Sequence, residues 1–419
     1  MRWSVLTRAL LAAVLWTAGA WIGPVAWAEI QVGVTSQVEY NDNLFLEPSG
    51  GSSDVLFRLL PWMDVAHGGH RHSATLSYRP SYTWYRKNPE LDQAGHEADL
   101  EVAADLSRRV DLLFNTRLER SEEGTSDQQP VEGTSRLPVT NLSSSLSVHR
   151  NTGRDEFFDV TCTGRSLDYD SRSVSEDSRE VEGEFALRTM AGDHRAAILE
   201  GRYAKGWYDT SASYRQGWAS LEVEQTVSAI KRLFGKVDVS TYTSDGRTDY
   251  LTVNPYAGLA GEWPHGRYDL GAGVLIRDEE GGDTTCEFSL VGTAEIEKTW
   301  PRGSLTASLE TGHDEDYIDF DTPGFTTYAT GLVTGSYLPV RGWSLDGQCE
   351  VRGDDYQENR PAKEDRRDVT VTLTGGIQRQ IRKWGVARLE GSHRVRRSTL
   401  NDQEYDENSI TLTFNVYTR

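Results

Sequence analysis

The sequence predicts an all-β fold, a single closed antiparallel transmembrane β-barrel of about 20 strands. Three observations predict it. Apolar and polar residues alternate with a period of two from Glu29 to the C-terminus, the apolar positions in strand centres are almost free of charge, and short connections alternate with long polar ones.

The opening strand sets the pattern. Ile30, Val32, Val34, Val38 and Tyr40 share one parity, with Ser36 the polar exception, and Gln31, Gly33, Thr35, Gln37 and Glu39 share the other. Asn41-Asp42-Asn43, which favours a turn, ends it. Upstream, residues 1–28 carry Arg2 and Arg8, an apolar run from Ala9 and an Ala26-Trp27-Ala28 cleavage site. That is the composition of a cleaved secretory signal, which leaves residues 29–419 as one barrel domain. No other run approaches the roughly 20 apolar residues of a spanning helix.

The pattern continues in order. Val55, Phe57, Leu59, Met63 and Val65 alternate with Arg58 and Asp64, and Ala74, Leu76, Tyr78, Tyr82 and Trp84 with Thr75, Ser77, Arg79, Ser81 and Thr83. In the fourth strand Ala98, Leu100, Val102 and Ala104 interleave with Glu97, Asp99, Glu101 and Asp105, a spacing no amphipathic helix has. Later segments repeat it, down to Ile410, Leu412, Phe414 and Val416. The tally is about 20, or 18 if one irregular hairpin has been split. The least regular stretches are residues 137–149 and 326–337. Short connections such as 191–194 and 301–303 read as periplasmic turns, and long ones such as 121–136 and 353–366 as extracellular loops.

A soluble β-sandwich also alternates. A charge facing lipid costs roughly 2–4 kcal/mol at mid-membrane, so the near absence of charge from one parity points to a barrel in a bilayer. The other parity faces water and predicts pore-lining residues Arg58, Arg79, Glu101, Arg117, Glu182, Glu184, Arg202, Glu222, Glu224, Glu295 and Arg352. Trp263, Trp300, Trp343 and Trp384 near short turns, and Trp84, Trp207 and Trp218 near long loops, suggest two interfacial girdles.

The signal, the sequence Glu39-Tyr40-Asn41-Asp42-Asn43-Leu44-Phe45, then Ser53-Asp54 and Pro61 resemble the outer-membrane β-barrel porin family linked to exopolysaccharide loci. In that family a Tyr-Asn-Asp-Asn motif closes the first strand and a Ser-Asp pair begins the second. The resemblance implies a passive outer-membrane channel for exopolysaccharide export in a Gram-negative bacterium.

No catalytic motif stands out, so no enzyme and no cofactor are expected. Cys162, Cys286 and Cys349 are widely spaced and read as small fillers on strand faces. The acidic run at 314–321 lacks the glycine and terminal Glu of a calcium loop and reads as a solvated surface loop. The net charge of −20 argues against nucleic acid. Expected partners are outer-membrane lipid and lipopolysaccharide, together with polysaccharide and periplasmic export components. Three alternatives stay open: a general or solute-specific diffusion porin, a barrel sheathing an electron-transfer cytochrome, and a scaffold with a plugged lumen.

Overall fold

In the computed structural model the described residues are 29–48, 51–122, 138–169, 177–209, 213–244, 249–279, 287–314, 325–357, 366–400 and 403–418. The expected signal segment, Cys286 and most of the acidic run lie outside them. The strands are β1 (Glu29–Asn41), β2 (Asp54–Gly68), β3 (His72–Tyr85), β4 (Gln93–Ser107), β5 (Val110–Glu122), β6 (Pro138–Gly153), β7 (Glu156–Tyr169), β8 (Ser178–Met190), β9 (Arg195–Tyr208) and β10 (Tyr214–Ser228). They continue as β11 (Lys231–Ser244), β12 (Tyr250–Trp263), β13 (Gly266–Glu279), β14 (Glu287–Trp300), β15 (Gly303–Asp314), β16 (Phe325–Tyr337), β17 (Trp343–Gln357), β18 (Arg366–Ile381), β19 (Gly385–Ser398) and β20 (Tyr405–Tyr417). Of the two irregular stretches, residues 138–149 fall within β6 and residues 326–337 within β16, while residue 137 lies outside the described residues.

Every strand is antiparallel to its neighbours, and β1 pairs with β20 from Gly33↔Tyr417 to Asn41↔Ser409, which closes the sheet and leaves no edge. Carried from strand to strand, the register returns to β1 displaced by about 24 residues, a stagger that sets a strand tilt of about 40° and a backbone diameter of roughly 38 Å.

The register aligns apolar residues on the outer face. Val38, Phe57 and Trp84 are successive partners across β1–β3, as are Leu199, Leu221 and Val237 across β9–β11, and all are exposed. Such exposure suits a lipid solvent, since each strand has only one polar face. Gly335, Gly347, Gly375 and Gly391 are likewise partners on β16–β19 and leave an outward groove of about 720 Å³. The tryptophan girdles hold with one correction. Trp218 shares its parity with Glu222 and Glu224 and faces inward, where the Lys236 ammonium lies 5.6 Å from its ring. It lies three positions from the outward Leu221, and that odd offset decides its face.

The Asn-Asp-Asn motif does more than turn the chain. Asn43 N–H donates to Asn41 Oδ1 at 2.9 Å, closing a local turn. The same three residues also hold β20. Asn41 Nδ2 donates to Glu407 Oε1 at 2.7 Å, Asn43 Nδ2 to the Asp406 carbonyl at 2.9 Å, and the Asn408 amide and side chain both donate to Asp42 at 2.7 Å. Asp54, fully buried, accepts the amides of Val55, Lys87 and Asn88 and the Asn88 side chain, tying the start of β2 to the loop after β3.

Candidate functional site

The inner wall is the candidate site, because closure brings the polar parity of every strand onto one concave surface. The expected residues Arg58, Arg79, Glu101, Arg117, Glu182, Glu184, Arg202, Glu222, Glu224, Glu295 and Arg352 all lie on the parity opposite to the exposed apolar one. Their surroundings differ.

On β1–β5 the charges form a chain of contacts. Arg58 donates to Glu39 at 2.6 Å, while Arg79 lies 3.6 Å from Asp64 and 3.7 Å from both Glu97 and Asp99. Arg117 reaches Glu97 at 3.2 Å and Glu119 at 3.3 Å. Glu101, among the described residues, has no ion pair. It lines a recess of about 400 Å³ with Thr75, Ser77, Asn115, Ser143 and Ser145.

On β8–β11 the sequence expectation divides. Glu182 and Glu224 are 4% and 3% exposed, so they brace the wall beneath their neighbours instead of meeting bulk water. Arg202 clamps Glu182 at 2.5 Å and approaches Glu184 at 4.0 Å. Arg188 donates to Glu224 at 2.6 Å, and Arg232 contacts the other oxygen of the same carboxylate. Two guanidiniums on one carboxylate repay the desolvation that a single buried charge would suffer. Glu222 has no base in contact among the described residues. Farther round, Arg267 bridges Glu295 at 3.1 Å and Glu297 at 2.7 Å. Arg352 binds Asp354 at 2.8 Å and lies 4.6 Å from the Tyr328 ring.

Several wall features escape a reading of parity alone. Arg388 on β19 reaches over β18 to Asp346 on β17, and Arg366 and Arg396 converge on the buried Asp368 near the mouth. Tyr208, Tyr214, Tyr242 and Tyr250 form a row across β9–β12, with successive ring centroids 6.0, 5.9 and 5.2 Å apart. Trp62 packs against the Cα of Gly33 and donates to Asn415 Oδ1 at 3.4 Å. Parity signals the inward facing of several of them, since Trp62 shares that of Arg58 and Asp64, and Arg388, Tyr242 and Tyr250 lie on the water-facing parity of their strands.

Parts of the wall are rich in hydroxyl groups. Ser143, Ser145 and Ser147 on β6, beside Thr161 and Thr163 on β7, present one hydroxyl surface. Thr306 and Ser308 on β15 with Thr330 and Thr334 on β16 present another, while Thr370, Thr372 and Thr374 on β18 lie beyond the charged β17 positions Glu350 and Arg352. β6 and β16 are ten strands apart in a ring of twenty, so these surfaces oppose each other.

Residues 30–184 match the family described as "Putative beta-barrel porin 2". No curated protein matches the chain. Among solved structures, the siderophore receptor PirA from Acinetobacter baumannii superposes with a TM-score of 0.57 at 7% identity, covering 94% of this chain and 81% of that one. PirA from Pseudomonas aeruginosa gives 0.53 at 8% identity, covering 93% and 80%. The outer membrane protein OpdK from Pseudomonas aeruginosa gives 0.48 at 10% identity, covering 93% and 99%. The two receptor likenesses speak to the fold alone. The protein is a closed antiparallel β-barrel of twenty strands, and over residues 30–184 it resembles the family described as "Putative beta-barrel porin 2".

Proposed function

We propose that the barrel is a passive conduit for polysaccharide across the outer membrane. The observation that carries this reading is the pair of opposed hydroxyl surfaces on β6–β7 and β15–β16. Hydroxyl, threonine and asparagine groups exchange hydrogen bonds with sugar hydroxyls at many weak points, which favours passage over trapping. The arginines support the same reading, because most are held by carboxylates and offer little free positive charge to capture an anion. Acids outnumber bases on this wall, so a neutral or weakly charged polymer is the expected cargo.

Deletion of the gene should abolish surface polymer while intracellular synthesis continues, and normal export in the deletion strain rejects the proposal. Planar-bilayer recording separates it from the diffusion-porin alternative. A polysaccharide conduit conducts ions and is blocked reversibly by neutral polysaccharide added to one side. Conductance indifferent to polysaccharide, with saturable flux of a small solute, favours the diffusion porin.

A further inference from the structure

We infer that the outer face of β8–β10 carries a binding site for the phosphate groups of lipopolysaccharide, formed by Arg179, Lys205 and Arg215. All three share the outward parity of Val181, Tyr203 and Leu221, and all lie within four residues of the long-loop ends of their strands. That end is the extracellular one, by the alternation of short turns and long loops. Other charges also stand on this face near the mouth: Asp278 has no ion pair among the described residues, whereas two arginines there are neutralised. Arg397 pairs with Asp406 at 3.0 Å and Arg367 with Asp355 at 3.4 Å.

The three cations differ from those. Lys205 and Arg215 are direct cross-strand partners, an arrangement of like charges that destabilises a sheet unless an anion lies between them. On the other side of Lys205, Val181 is its partner, and Arg179 is the partner of Trp207. Among the described residues none of the three has an ion pair. The Lys205 ammonium lies 4.9 Å from the Trp207 ring, which fixes it at the level of the aromatic girdle, where lipid headgroups reside. Flanking hydroxyls complete the surface, since Ser166 is the partner of Arg179 and Thr243 of Arg215.

A second feature lies below. Gly183, Gly201 and Gly217, with Ala219, occupy outward positions on the same strands; the space over Gly183 is open, while the Phe185 ring covers Gly201 and Thr241 closes on Gly217. With the exposed Val181, Phe185, Tyr203 and Leu221, this makes the face between the cations and the membrane centre apolar. Cations at headgroup level above an exposed apolar face fit an amphiphile with a phosphorylated head and several acyl chains. In the outer leaflet the lipid with that chemistry is the phosphorylated glycolipid of lipopolysaccharide.

The test uses the purified full-length barrel in detergent, with bisphosphorylated lipid A, the same lipid after removal of its phosphates, and phosphatidylglycerol as probes. Retention is read by native mass spectrometry, and folding by heat-modifiable gel migration. The parent is expected to retain lipid A about a hundredfold better than the dephosphorylated form, and the R179Q/K205Q/R215Q variant should lose that preference while still folding. A thermal readout separates binding from scaffolding. Without lipid the variant should melt above the parent, because the repulsion is gone, and with lipid A the order should reverse. Equal retention of dephosphorylated lipid, retention of phosphatidylglycerol equal to that of lipid A, or unchanged lipid A retention by the variant each overturns the inference.

Discussion

Arg388 and Asp346 are joined fork to fork across an intervening strand: Nη1 donates to Oδ1 at 2.8 Å and Nη2 to Oδ2 at 2.6 Å. The two parallel bonds fix both distance and angle, so the pair acts as a strut along the wall of β17–β19. Asp346→Asn should weaken it by about 1 kcal/mol, the low end for charged hydrogen bonds because both groups are partly solvated. Urea unfolding of the barrel in micelles, followed by tryptophan fluorescence, measures this.

The strut depends on what β18 lacks. A Cβ at Gly376 would lie 2.6 Å from Arg388 Nη2, so Gly376→Ala should displace the guanidinium at a cost similar to losing its partner. The double variant G376A/D346N should then cost little more than either change alone, since both act on one interaction. Additive losses would mean that the glycine serves the backbone instead.

At the seam, Asn43→Ala removes donors to the Glu47 and Asp406 carbonyls and the acceptor for the Glu47 amide. The barrel should lose about 1–3 kcal/mol, seen as a lower temperature for the heat-modifiable gel shift. Asp42→Ala should act in the same direction, because it strips both bonds to Asn408.

Asp54→Asn keeps the shape of the side chain and turns one acceptor into a donor facing amide groups. Three backbone N–H groups and the Asn88 side chain lose part of their carboxylate partner, and about 1–3 kcal/mol should follow. Limited proteolysis from the extracellular side should cut the loop after β3 faster in the variant than in the parent.

Glu101 and Glu222, without bases in contact among the described residues, should contribute more to ion selectivity than the clamped Glu182 and Glu224. E101Q/E222Q should reduce cation preference in planar bilayers, with the effect fading as salt shortens the screening length. E182Q/E224Q should instead mainly lower stability. A larger selectivity change in that second pair would contradict the assignment of bracing and lining roles.

The barrel, its strand number and the facing of each strand were legible because an alternating strand encodes its face in every second residue. Trp218 shows where that reading slips: proximity to a loop suggested a girdle, but parity with Glu222 and Glu224 sends it inward. The wall charges were legible as a set. Their partition into braces and lining was not, because the burial of Glu182 and Glu224 depends on which arginines the register brings from neighbouring strands. The Asn-Asp-Asn cluster was readable as a turn, whereas its hold on Asp406, Glu407 and Asn408 joins residues at opposite ends of the chain, and local pattern carries no trace of it.

That hold has a kinetic meaning. Asp42 and Asn408 are 366 positions apart, so the bonds between them report on almost the whole chain at once. Until β20 arrives, β1 presents an unsatisfied row of amides and carbonyls, which any other strand could capture. The clasp at the mouth can form only when the correct last strand lies in the correct register, since a slip of one residue would carry Asn408 to the opposite face. Asn41, Asp42 and Asn43 thus bond to β20 only in the finished ring, and an open one lacks all of these contacts.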